Sequence, residues 1–260
     1  MISRTFSLIA VACLFSTGVA ACANDEDLGQ RPGNDGGPTP SGDSSTTGAS
    51  DGGPTTPTAP DGPVAEGGTS PVPGAKRVFV TSLTYTGNLA GEGKAATGLQ
   101  GADNLCASHA AAANLGGTWV AWLSSSTENA IDRVPDVGPW YFVDRTTKVF
   151  ESKFYIKEGP RVPLARDERG KTVASSYVWT GTDNRGQYDV RPRYYAQGAS
   201  FPISGCTDWT SAGSGSVGGV HARAAYGLAS QTLAWTEAGT GYDDSSADCS
   251  QQLRLYCFEK

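Results

Sequence analysis

Histidine is almost missing from this sequence: among 260 residues there are only His109 and His221. Imidazole metal centres draw on several ligands at characteristic spacing, and neither histidine sits in such a pattern, so no metal site is expected. His109 reads as a packed, hydrogen-bonded residue of a helix. His221, in GGVHARAAYG, has no nucleophile motif beside it. No cofactor and no catalytic residue are therefore assigned, and the chain is expected not to be an enzyme. Long apolar runs are also absent. The stretch 6–15 is too short for a permanent membrane helix, which takes roughly 20 apolar residues. An excess of charge of one sign is absent from residues 76–260, which carry eighteen bases and eighteen acids. Without a basic excess, no nucleic-acid partner is expected.

What is present first is an export signal. Arg4, the apolar run and the small residues before Cys22 make the three-part layout of a secretory signal over residues 1–21. Val19, Ala20 and Ala21 resemble a bacterial lipobox, which implies a lipid attached at Cys22 and a membrane partner through that anchor. Residues 23–75 are rich in Gly, Pro, Ser, Thr and Asp, with eight acids against the single base Arg31. So little there can be buried that the ordering entropy goes unrecovered, and residues 22–75 read as a disordered tether. Some fifty flexible residues have a root-mean-square span of about 40 Å, enough to hold a domain off a membrane.

Residues 76–260 suffice for one domain with a sizeable core. Of the six cysteines, Cys13 falls in the signal and Cys22 at the lipid site, leaving Cys106, Cys206, Cys249 and Cys257. An even number in an exported domain reads as two disulfides. No Gly, Pro or Asn turn lies between Cys249 and Cys257. Their extended separation of up to about 26 Å is far beyond the ~7 Å reach of a disulfide. Two connectivities survive, nested and crossed.

KRVFV predicts a strand, and Thr97 with Gln100 a capping box opening a helix to Asn114. Its inward face carries Ala102, Leu105, Cys106, His109 and Ala113. TWVAWL and WYFV read as strands, and Ser125 with Glu128 as the cap of a short helix to Val134. SYVWTGT reads as a central strand, and residues 183–247 as long loops. In the closing QLRLYCFE, Leu253, Leu255 and Cys257 alternate with Arg254 and Tyr256 and face one way. Trp119, Trp122 and Trp179 are core candidates, and Trp209 is placed to pack on a disulfide through Cys206. The acids Asp243, Asp244 and Asp248, near Asp208, read as a solvated loop rather than a calcium site, which needs six to eight oxygens. The most contact-like segment carries Arg185, Tyr188, Arg191, Arg193, Tyr194 and Tyr195, since Arg and Tyr are enriched at recognition hot spots.

The blocks ADNLCASHAAAANLGGTWVAWLSS, YVWTGTDNRG, CTDWTS and DCSQQLRLYCFE are similar in order and spacing to collagen endostatin. More closely, they resemble bacterial endostatin-like lipoproteins, whose domain of unknown function has a C-type-lectin-like fold. The resemblance implies an α+β domain with a mixed sheet, one main and one short helix, terminal strands that meet, a long loop region and two disulfides. It selects the nested pairing, Cys106 with Cys257 and Cys206 with Cys249. Members of this family bind host matrix proteins, plasminogen and complement regulators, which implies adhesion to an extracellular protein or polysaccharide from the outer-membrane surface. Two properties of endostatin have no counterpart here: its basic heparin-binding surface and its amino-terminal zinc-binding histidines. The Glu-Pro-Asn and Gln-Pro-Asp tripeptides of calcium-dependent lectins are also missing. A structural envelope protein without a ligand, or an enzyme on a lectin-like fold, are the alternatives.

Overall fold

The computed structural model describes residues 70–174, 177–194, 200–238 and 246–260. Cys22 lies outside them. Strand β1 (Lys76–Val80) leads to α1 (Leu89–Glu92), α2 (Gly98–Ala112), β2 (Trp119–Ala121) and α3 (Ala130–Arg133). Then follow β3 (Trp140–Tyr141), β4 (Lys148–Phe150), a 3-10 helix (Lys153–Glu158), β5 (Tyr177–Trp179), β6 (Arg193–Tyr194) and β7 (Ser200–Phe201). After a turn at Gly205–Trp209 come β8 (Ser216–Val217), β9 (Val220–His221), β10 (Arg223–Leu228), β11 (Ser246–Asp248) and β12 (Tyr256–Glu259). No helix among the described residues is long and apolar enough to cross a membrane.

The domain is α+β. Its main sheet has the order β2-β12-β1-β3-β4, and it is mixed because β1 runs parallel to β3 and antiparallel to β12. A three-stranded sheet has the order β11-β10-β5. Strand alternation sends successive side chains to opposite faces, and here both faces are buried. Phe79, Trp119, Ala121, Leu253, Leu255 and Cys257 enter one cluster with the apolar side of α2. Val78, Val80, Val120, Trp122, Tyr256 and Phe258 enter a second with Trp140, Phe150 and Trp235. Leu253, Leu255 and Cys257 thus share a face as expected, and Tyr256 on the other face is fully buried as well.

Helix α2 begins where Thr97 Oγ1 accepts the Gln100 amide at 3.3 Å. Its small residues let it approach α1 closely: a Cβ on Gly101 would stand 2.1 Å from the Leu89 carbonyl oxygen. Cys106 of α2 bonds Cys257 of β12, and Cys206 bonds Cys249, which is the nested pairing.

Two local expectations are corrected. Ser125 and Glu128 do not cap α3; the Ser125 amide donates to the Glu128 carbonyl in a turn, and Ser124 Oγ accepts from the Ala130 amide at 2.8 Å. The first amide of α3 is thus held by Ser124, past the end of β2 at Ala121, while the N-cap residue Asn129 makes no side-chain cap bond, a placement local spacing does not encode. Strand β5 is flanked on both sides, as expected of a central strand: it pairs with β10, and on its other side Val178 bridges Arg254 in parallel. Residues 183–247 are not all loop, for they contain β10, six residues long. RAAYGL lacks the β-branched residues that signal strands, and pairing with β5 and β11 makes it one.

The turn Gly205–Trp209 is left-handed throughout, with φ of 58°, 52°, 53°, 53° and 66°. Left-handed conformation costs a non-glycine residue roughly 1–2 kcal/mol, so tertiary contacts must hold it. The Cys206–Cys249 bond does so at one end. At the other, Trp209 Nε1 donates to the Ser124 carbonyl at 2.7 Å, and the Asp208 carboxylate accepts from the Ser126 amide and hydroxyl at 2.8 and 2.5 Å.

Candidate functional site

The structure divides the Arg/Tyr segment into parts with different work. Asp189 is the hub of an ion network: it accepts from the amide and guanidinium of Arg191 and, at 2.7 Å, from Arg193. The Arg193 and Asp189 side chains are 7% and 0% exposed. Burial alone would raise the Asp189 pKa, but the bonds and charges of Arg191 and Arg193 outweigh it and hold the carboxyl below its ordinary value. Arg193 is therefore a structural cation, not a contact residue. Arg191 is exposed but committed to Asp189 and Glu237. Tyr188 is half-buried against the left-handed turn; burial, then the charge of Asp208 and a hydrogen bond to it, push its phenol up to about 12. Tyr194 stands in β6, its side chain outside the description, and Tyr195 lies outside the described residues.

Arg185 has a different setting. It occupies a tight turn in which Asp183 Oδ1 accepts from the Arg185 and Gln187 amides at 2.8 and 2.9 Å. The Gly186 carbonyl of that turn accepts from the Ile131 amide at 3.1 Å, fixing it beside α3. Opposite lies the 3-10 helix KFYIKE, anchored by Ile156, its one buried side chain. Between them is a cavity of about 300 Å³ lined by Ile131, Asp136, Lys153, Phe154, Lys157 and Arg185. Phe154 and Tyr155 are 65% and 50% exposed and meet edge to face at 5.2 Å. Lys157 Nζ lies 4.4 Å over the Phe154 ring. Among the described residues, Lys153, Lys157 and Arg185 form no ion pair. Arg77, Arg133, Arg161, Arg166 and Arg169, by contrast, are each paired with a carboxylate. Three cations without ion pairs and the exposed Phe154 ring thus converge on one concavity, with Tyr155 against that ring on the neighbouring one. Sequence reading found Arg185 but passed over KFYIKE, whose signal is an aromatic pair between lysines in an otherwise irregular stretch.

A larger cavity, about 480 Å³, lies between the start of α2 and the left-handed turn and includes Thr97, Asp103, Glu128, Arg133, Asp208 and Thr210. Arg133 bridges Asp103 at 2.6 Å and Glu128 at 3.0 Å, and Asp208 holds Ser126. These charges already satisfy one another. Burial raises the Asp103 pKa despite Arg133. Among the described residues no three His, Cys, Asp or Glu side chains are grouped to hold a metal. Asp248 faces Arg223 at 3.5 Å, and Asp243 and Asp244 lie outside the description.

His109 is buried between Glu168, 3.1 Å from Nδ1, and the Tyr85 hydroxyl, 2.6 Å from Nε2. The group facing the imidazole is a phenol that burial, with Glu168 and Glu92, pushes up to about 12, which makes it a poor nucleophile. Ser82 donates to Glu168 at 2.5 Å, not to the histidine. Burial would raise the Glu168 pKa, but hydrogen bonds from His109 and Ser82 bring it down to about 2 from an ordinary 4.5. A depressed carboxyl stabilises the fold above its unfolded pKa and loses that contribution as pH falls through the folded one. Denaturant midpoints should therefore fall between about pH 4.5 and pH 2, and the fall should be shallower in Glu168→Gln. Parallel profiles for the two proteins would contradict this.

No family model matches the sequence, and no curated protein matches it.

Proposed function

We propose that this chain is an outer-membrane lipoprotein, anchored through Cys22 and carrying an endostatin-like domain of C-type-lectin-like fold. The domain acts as a non-enzymatic recognition module for an extracellular protein or polysaccharide. The observation that carries the recognition reading is the cavity where Lys153, Lys157 and Arg185 stand without ion pairs beside the exposed Phe154. Exposed aromatics with arginine are the composition of contact surfaces, and recognition residues gather on loops braced by a rigid scaffold. The lectin-like reading is supported by the pairing of β1 with β12, by the mixed sheet and by the nested disulfides. With Cys106, Cys206, Cys249 and Cys257 all in disulfides, thiol catalysis has no residue in the domain to use.

The test is an array of matrix proteins, complement regulators and envelope polysaccharides probed with the purified chain and with its Lys153→Glu/Arg185→Glu variant. A hit weakened about tenfold or more by the variant and by added salt, at unchanged melting temperature, is the expected result. Hits indifferent to the variant and the salt would exclude this surface. An empty array would favour a structural envelope role.

A further inference from the structure

We infer that the surface around the 3-10 helix takes an acidic protein segment bearing a single apolar anchor side chain. This inference rests on the recognition reading above and narrows it to one class of partner. Two properties of the surface point there together. The cavity is lined by three cations and one acid, Asp136, and its cations are not neutralised by ion pairs within the described residues. The partner face is therefore anionic. The cavity also has an apolar wall: Ile131 and the exposed Phe154 line it. A sulfated polysaccharide would satisfy the cations and leave those side chains in water, whereas a peptide can bury them with a side chain of its own.

Size supports the same occupant. About 300 Å³ is at the low end of ligand pockets and suits one large side chain better than several sugar rings. Lys157, held over the Phe154 ring, keeps an ammonium at the mouth, so an anchor entering beside Phe154 brings its flanking carboxylates near Lys157 and Lys153 on one side and Arg185 on the other.

The far side of the helix sets a direction. There a second concavity is lined by Tyr155 itself with Glu151, Glu158 and Arg161, where Arg161 is bound to Glu151 at 2.7 Å. Glu158 forms no ion pair among the described residues, and its charge repels an acidic chain. The partner is thereby confined to the Phe154 and Arg185 side of the helix, and Glu158→Lys should extend the favourable surface.

The test pans a random 12-residue phage-displayed peptide library on the purified full chain, with counter-selection on the Lys153→Glu/Arg185→Glu variant. Dextran sulfate binding is measured in parallel, and thermal melts show that each variant is folded. Selected peptides should carry Asp and Glu around one aromatic or aliphatic residue. They should bind at least about tenfold more weakly to the double variant and more tightly to Glu158→Lys, and weaken when the anchor is replaced by glycine. Failure to select peptides, or selection of neutral or basic ones, overturns the inference. If dextran sulfate alone binds and is lost in the double variant, the occupant is wrong but the recognition surface stands. If neither probe responds to the double variant, both readings fail.

Discussion

Replacing Cys106 and Cys257 together by alanine should lower the domain's stability by about 5 kcal/mol. The bond closes a loop with a sequence separation of 151 residues, and the chain-entropy relation assigns roughly that value to such a closure. This is a large part of the ~5–15 kcal/mol that holds a typical domain together. Both cysteines are fully buried, so lost sulfur packing adds to the effect. The Cys206–Cys249 bond closes only 43 residues and should cost about 4 kcal/mol by the same relation. Its loss should also loosen the left-handed turn first, because the Thr210 and Ser211 amides both donate to the Cys206 carbonyl. Guanidinium unfolding measures the totals, and amide exchange at Thr210 and Ser211 the local effect. A loss below about 1 kcal/mol for the longer loop would show that the unfolded chain is already restrained without it.

Asp189→Ala should be comparably damaging, at about 3–5 kcal/mol, because it leaves the buried Arg193 guanidinium without its counter-charge. Arg191→Ala, removing an exposed partner of the same aspartate, should cost under about 1 kcal/mol. Replacing both buried partners, as Asp189→Leu/Arg193→Met, should recover much of the single-variant loss, since an apolar pair avoids the desolvation penalty of two buried ions. Chemical unfolding of the four proteins checks the ordering. Equal effects of Asp189→Ala and Arg191→Ala would mean that Arg193 finds other compensation. This ordering separates stability from recognition: Arg185→Glu should leave the unfolding midpoint nearly unmoved, and simultaneous alanine substitution of Arg185, Arg191 and Arg193 should unfold the domain rather than test its surface.

Where local chemistry decides the outcome, the sequence was legible. Thr97 starts α2, the interval from Ala102 to His109 turns one helical face inward, and Leu253, Leu255 and Cys257 share a face because strand periodicity is two. The failures have physical causes as particular as the successes. The burial of Tyr256 was not legible because one alternating strand cannot reveal whether a second layer covers its other side. Strand β10 was hidden because Ala224, Ala225 and Gly227 carry no strand propensity and are shaped by pairing with β5 and β11. The run from Cys206 to Trp209 resembles no known signal for left-handed backbone; only the disulfide, the Trp209 bond and the Asp208 carboxylate impose it.

The candidate site follows the same division. Residue types and spacing by themselves determined one domain over residues 76–260 with four cysteines to pair, an even charge balance, and an arginine- and tyrosine-bearing segment; the α+β class was implied by the resemblance. Tertiary structure alone decided which of those arginines is free. Arg193 and Arg185 lie in one short stretch of the same composition, yet a buried Asp189 takes one and none of the described carboxylates pairs with the other. It also brought Lys153, Phe154 and Lys157 from a separate part of the chain to Arg185. Ion pairing and burial depend on what folding places within a few ångströms, and sequence neighbours do not report that distance.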